Sequence, residues 1–336
     1  MEQITTLIPA YKPKYLGDLL LALRQQTVKP ARIIVSDDSP DQAFIRALET
    51  SSLKDYTANM NVEVIVGPRT GAFENFCNLL KRYQGETELY HFLLDDDVIY
   101  PNFYERHLEA HARSRTECVV SGRWYAVESG QPVGTLDVPS VVARHPDRVV
   151  SVNPEFLFAT SVATGSNWLG EFSNATFRAD MATEFFKSEL DGLPFAGLED
   201  IGAFLVAAIR SPIAYINEQL GCFRMNPGQQ TEQPMSKQFK CGHLAWVSLA
   251  IAARRGGWIN KEQCQTTIAR VCSIVLDLYG READMAQFCV LLSEVVDRKP
   301  NAEERFLRTW GDYIGRPAGR SVPPFKWLTN KIGILA

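Results

Sequence analysis

Over the first hundred residues, short apolar runs alternate with stretches in which apolar residues recur every three or four positions. "ITTLIP" (4–9) predicts a strand, and Leu16, Leu19, Leu20 and Leu23 follow at i, i+3, i+4 and i+7, the spacing of one buried helix face. Lys29-Pro30 breaks that helix. "RIIVS" (32–36), "VEVIV" (62–66) and "LYHFLL" (89–94) predict three further strands, with helices over 41–50 and 72–83. Repeated strand–helix units imply an α/β fold: a mainly parallel sheet, right-handed crossovers and helices on both faces.

Beyond residue 118 the pattern changes. "CVVSGRWYAV" predicts a strand, "ESGQPVG" a turn, and 149–178 a long irregular, aromatic-rich wall of loops and short strands. Helices are expected over 179–189 and from Glu199, with a strand at "IAYIN" (213–217) between them and the amphipathic segments that fill 231–315. The latter read as a helical subdomain.

Parallel strands linked this way end on one edge, and ligands of open parallel sheets sit beyond those carboxyl ends. After the first strand comes Ala10-Tyr11, after the second Asp37-Asp38, after the third Gly67-Pro68-Arg69, and after the fourth Asp95-Asp96-Asp97. Two acidic clusters distant in sequence are therefore expected at one cleft. Continued strand alternation would set Asp95 and Asp97 on one side and Asp96 on the other, so that two carboxylates share a ligand. Such a run is costly beside buried residues unless something positive meets it, and a hard divalent cation, Mn²⁺ or Mg²⁺, suits one or two carboxylates plus phosphate oxygens.

Composition narrows the class. The chain has 336 residues, 46% hydrophobic and 22% charged, with a net charge of -4. This is an ordinary globular balance without the basic stripe of a nucleic-acid binder. Seven dispersed cysteines never form CxxC and read as reduced core residues of a cytosolic protein; neither a leader peptide nor a membrane-spanning run is evident. His107 and His111 in "HLEAH" have zinc-pair spacing, but the glutamate is misplaced for HExxH and no third ligand is evident.

Taken in order, "LIPAYK", "RIIVSDDSPD", "GAFENFCNLLKRYQGETELYHFLLDDDVIYP" and "GLPFAGLEDIGAFLVAA" resemble the inverting family 2 glycosyltransferases of GT-A fold, over roughly the first 230 residues. The resemblance implies a catalytic domain over 1–230, with a nucleotide-binding half (1–100) and an acceptor half (101–230), then a helical subdomain (231–315) and a basic amphipathic tail (316–336). It implies sugar transfer from a UDP- or dTDP-linked donor to an acceptor hydroxyl, on a glycan or lipid-linked acceptor in bacterial-type surface glycan assembly. By the same resemblance Pro9, Tyr11, Asp38, Arg69, Asp95 and Asp96 bind the nucleotide, Asp97 holds the metal, and Asp200 of "LEDIG" is the catalytic base. Trp168, Glu199 and Arg224 are expected on the acceptor side.

Two departures stand out. Asn226 occupies a position where many relatives carry histidine, which would leave the metal to Asp97 and phosphate, helped by Arg224. Gly202-Ala203 also replaces a more polar pattern after the base motif. Arg316, Arg320, Lys326 and Lys331, interleaved with Phe325, Trp327, Leu328 and Ile332, suit peripheral contact with an anionic membrane on its cytoplasmic side. The rival classes are a sugar-binding or scaffold protein of the same fold and a Mg²⁺-binding receiver domain.

Overall fold

The computed structural model describes residues 2–225 and 233–315, without the side chains of 51–53. Asn226 and the 316–336 tail lie outside the described residues. The strands are β1 (Ile4–Ala10), β2 (Arg32–Asp37), β3 (Val62–Val66), β4 (Leu89–Phe92), β5 (Val98–Ile99), β6 (Cys118–Ala126), β7 (Pro132–Thr135), β8 (Val149–Val152), β9 (Ala175–Arg178), β10 (Glu189–Leu190), β11 (Leu193–Pro194) and β12 (Ile213–Arg224). Ten form one sheet in the order β3-β2-β1-β4-β9-β6-β12-β5, with β7 beside β6 and β8 beside β12; β10 and β11 form a separate hairpin.

The first four strands run parallel, as their alternation with helices predicts, so all four end on one edge. The sheet becomes mixed at β9, which is antiparallel to both β4 and β6. Period-2 alternation sends Leu7 and Ile34 into one apolar core and Ile4, Ile8, Ile33 and Val35 into a second on the other face. Helix Leu16–Gln25 closes the second core with Leu16, Leu19, Leu20 and Leu23, the four residues that share its predicted face.

Helices Lys237–Arg255, Lys261–Tyr279, Ala286–Val296 and Ala302–Tyr313 pack onto the first core. The first and last of them both grip β11: the Ser248 hydroxyl (2.7 Å) and the Trp310 indole N–H (3.0 Å) donate to the Pro194 carbonyl. That anchor matters because β11 leads directly into Glu199-Asp200. No helix among the described residues is long and apolar enough to cross a membrane.

Three expectations are corrected. The fourth strand stops at Phe92, not residue 94, so Asp95 and Asp96 occupy a turn and strand alternation does not orient the triplet. The stretch read as one turn at 128–134 contains the start of β7. The strand begun at "IAYIN" continues to Arg224, through two register shifts against β6 that its polar middle hides from pattern reading.

Candidate active site

The turn after β4 is closed by the Asp97 N–H donating to the Leu94 carbonyl at 3.2 Å. Its three carboxylates go to different partners. Oδ2 of Asp95 accepts the backbone N–H groups of Tyr11 and Lys12, each at 2.5 Å, which ties the end of β4 to the end of β1. Oδ2 of Asp96 pairs with the Lys12 ammonium at 2.7 Å. Oδ1 of Asp97 accepts the Arg224 N–H at 3.2 Å, while its Oδ2 is buried with no hydrogen-bond partner among the described residues.

All three aspartates are buried. Burial pushes Asp95 up to about 6 against the pull of its two amides. Asp97 is also raised, first by burial and then by the charges of Asp96 and Glu171, against the pull of the Ser173 hydroxyl and the Arg224 N–H. Two acids of the triplet are thus absorbed in fixing the turn, and one keeps an uncompensated oxygen. A buried carboxylate oxygen without a partner is costly unless a cation or donor meets it.

Arg224 locks this turn from beneath. Its Nε donates to the Asp96 carbonyl (3.0 Å), one terminal nitrogen to the Glu128 carbonyl (2.6 Å) and the other to Asp18 (2.8 Å), with the guanidinium over the Tyr15 ring at 4.6 Å. Expected on the acceptor side, it is a buried clamp instead, brought there because β12 runs on past "IAYIN". Gly221 allows this approach: a Cβ there would stand 2.6 Å from the Val98 carbonyl oxygen.

At the ends of β2 and β3, the two neighbouring aspartates divide their work. Asp37 is fully buried and accepts the N–H groups of Ser39 (2.9 Å) and Ile45 (2.8 Å), so it staples its own loop. Asp38 instead accepts the Arg69 backbone N–H. Gly67 permits that contact, since a Cβ would lie 2.6 Å from Oδ1 of Asp38. Pro9 sits beside Ser36 in register, and Tyr11, 55% exposed, stands at the open end of β1. Pro9, Tyr11, Asp38, Arg69 and Asp95 therefore lie along one sheet edge.

Asp200 lies in the first turn of helix Glu199–Arg210 and lines a pocket of about 180 Å³ with Phe73, Phe76, Leu94, Glu171 and Phe172 among its walls. The residue is partly accessible along the pocket, but its carboxyl is deep enough that desolvation is the largest influence, raising it to about 7. The charges of Glu171 and Glu199 push the same way, and the Ile201 N–H at 2.7 Å opposes them. The Asn167 amide donates to the other oxygen at 3.2 Å. Glu199 turns back to accept the Gly197 N–H at 2.8 Å.

Trp168 does not present its ring to the cleft. It is 3% exposed, donates its indole N–H to Thr160 (3.0 Å) and packs against Tyr215 and Phe156. His107 and His111 are core residues whose rings both meet the Thr176 hydroxyl at 2.9 Å, and burial lowers both proton affinities, so they stay neutral. All seven cysteines are buried, and none forms a disulfide.

Sequence reasoning missed Lys12, Asn167, Arg123 and Glu171. Only Lys12 carried a signal, as the one cation directly after the first strand motif.

Parallel strands whose carboxyl ends gather acidic residues, joined to a mixed second half and capped by helices, define a GT-A glycosyltransferase fold. Residues 5–169 match the family model described as "Glycosyl transferase family 2". S. aureus TarS 1-349 in complex with UDP-GlcNAc superposes with a TM-score of 0.53 at 15% identity, over 94% of this chain and 92% of that one. The same TarS segment in complex with UDP gives 0.51 at 14% identity, over 96% and 94%. Against a longer S. aureus TarS chain the TM-score is 0.50 at 15% identity, over 93% of this chain and 55% of that one. At such identities the likeness is one of fold. No curated protein matches the sequence.

Proposed function

We propose that this chain transfers a sugar from a UDP- or dTDP-linked donor to an acceptor hydroxyl, with inversion at the anomeric carbon. The observation that carries the reading is the pairing of a buried, uncompensated carboxylate oxygen on Asp97 with a carboxyl on Asp200 raised to about 7, in cavities that share Glu171. The first suits a cation on a diphosphate and the second suits a general base near neutral pH.

In this scheme the base and ribose ring lie along Pro9, Tyr11, Asp38, Arg69 and Asp95, while Asp96 holds Lys12 beside the diphosphate. The free oxygen of Asp97, with phosphate oxygens and water completing the set, fits Mn²⁺ or Mg²⁺, which when bound neutralises charge on the departing diphosphate. The acceptor oxygen bonds to the anomeric carbon as the carbon–oxygen bond to the diphosphate breaks. The bonding pair leaves on the phosphate oxygen, and Asp200 takes the acceptor's proton. Asn167 and the Ile201 N–H keep the Asp200 carboxyl oriented for that transfer.

On this reading the chain divides into a catalytic domain (1–230), a helical subdomain (231–315) and a basic tail (316–336), and its acceptor is a glycan or lipid-linked molecule met at the cytoplasmic side of a membrane. The tail's basic and aromatic residues support peripheral contact, tested by sedimentation with anionic vesicles against a chain ending at residue 315. The reaction itself is tested by calorimetric binding of UDP, dTDP, GDP and CDP, each with and without Mn²⁺. Metal-dependent binding of one pyrimidine diphosphate supports the proposal; binding of none removes it in favour of a scaffold of the same fold.

A further inference from the structure

Glu171 occupies a singular position. Beside the triplet is a cavity of about 10 Å³, room for a single water, lined by Asp97, Arg123, Glu171, Ser173 and Asn174 among others. The 180 Å³ pocket of Asp200 is the other, and among the described residues Glu171 alone lines both. Its charge also raises the proton affinity of both Asp97 and Asp200, so its carboxylate lies within electrostatic reach of each.

The side chain is held in place to an extent that a surface glutamate is not. Arg123, 3% exposed, grips both carboxylate oxygens, Nε to Oε2 at 2.6 Å and a terminal nitrogen to Oε1. The guanidinium is in turn set over Tyr125 at 4.2 Å and Phe223 at 4.9 Å. Behind Glu171, the His91 ring donates from Nε2 to the Ser173 carbonyl (3.0 Å), which anchors the following turn to β4. The carboxylate also accepts the Asn174 N–H as the cap of that turn, so it is fixed in space with acceptor capacity left for one further donor.

The larger pocket also suits one sugar ring. It is smaller than the roughly 300–1,000 Å³ of sites for drug-sized ligands, and Phe73, Phe76 and Phe172 supply apolar walls. Apart from Glu171, its carboxylates are Asp200, assigned to proton transfer, and Glu199, which turns back to Gly197.

We propose that Glu171, oriented by Arg123, is the donor-sugar recognition residue, accepting a hydrogen bond from one hydroxyl of the transferred sugar between diphosphate and base. The inference rests on the nucleotide-sugar reading above and adds the residue that selects the sugar. A donor lacking that hydroxyl leaves Glu171 unmatched, which is how a polar pocket rejects it.

The test measures affinities of UDP, UDP-glucose, UDP-N-acetylglucosamine and their 3-, 4- and 6-deoxy analogues for wild type, Glu171→Gln and the charge-retaining Glu171→Asp. Expected are UDP affinities within about twofold of one another, sugar-nucleotide affinities weakened about tenfold in both variants, and one deoxy position costing wild type about tenfold but the variants nothing further. That coupling reports direct contact and is not produced by general loosening of the fold. Equal deoxy penalties in all three proteins, parallel loss of UDP binding, or a sugar that adds no affinity in wild type would overturn it. Where dTDP binds in place of UDP, the dTDP-linked sugars and their deoxy analogues are used in the same way, and a wild type that binds neither UDP, dTDP nor any of their sugar nucleotides would bring down the underlying reading as well.

Discussion

Phe195 packs so close to Gly202 that a Cβ on residue 202 would stand 2.3 Å from two carbons of its ring. The glycine that departs from the polar pattern after the base motif is therefore a packing requirement, set by the Phe195 ring just after β11 lying against helix Glu199–Arg210. Gly202→Ala should cost about 1–3 kcal/mol and lower the melting temperature, with activity falling because Asp200 lies two residues earlier on the same turn. Adding Phe195→Leu should recover much of the stability. Thermal unfolding of the single and double variants checks this, and an undisturbed single variant would mean the ring yields freely.

Asp200 is held as an acid of about 7 against an ordinary 3.8. Between those values the folded state binds more protons than the unfolded, so this group lowers stability progressively as pH rises through the window and fully above 7. Asp200→Asn should then unfold later than wild type at pH 8, by on the order of 1–4 kcal/mol, and match it near pH 4. The same variant should bind nucleotide and lose transfer. Denaturant titrations at the two pH values, with turnover measured alongside, separate the effects; an active variant would remove Asp200 as base.

The pH profile provides an independent check. With a base at about 7, kcat/KM should fall close to tenfold per pH unit below neutrality and level off above it. A profile flat from pH 5 to 9 would contradict proton transfer to this carboxyl.

At Asp97 the expected signature is a split between fold and metal. Asp97→Ala removes a buried oxygen with no partner among the described residues together with the Oδ1 that accepts the Arg224 N–H, so gain and loss offset and its melting temperature should stay close to that of wild type. It should also abolish the gain in UDP affinity given by Mn²⁺. Differential scanning fluorimetry with a Mn²⁺ titration reads both, and retained metal dependence would move the cation to another group.

Arg224→Met leaves the Asp96 and Glu128 carbonyls and Asp18 without their donor. A stability loss of about 2–4 kcal/mol is expected, together with weaker nucleotide binding as the triplet turn loosens. Lysine should not rescue it, because one ammonium cannot replace a planar group reaching three acceptors while stacked on Tyr15. Urea unfolding of both variants decides this.

Much of the first half was legible because it depends on local periodicity. Apolar spacing set the helix faces and strands, and parallel connection then required their ends to share an edge, which brought Tyr11, Asp38, Arg69 and the triplet together on paper. What failed were inferences that carried a local rule past its element. Alternation did not govern the aspartates, because β4 had already ended, and Trp168 looked like a wall residue only because aromatic composition does not say which side a ring faces.

The sequence by itself determined the order of elements, the resemblance carried by its motifs and the presence of an unusual acidic turn. Only the tertiary structure decided what each acid does. Asp37 and Asp38 are neighbours, yet one staples a loop and the other faces Arg69; Asp97 meets a backbone amide 127 residues away, and Glu171 meets Arg123 across 48. A carboxylate's role is set by its burial and by the charges and donors around it, and those arrive from distant segments that only the closed sheet brings into contact.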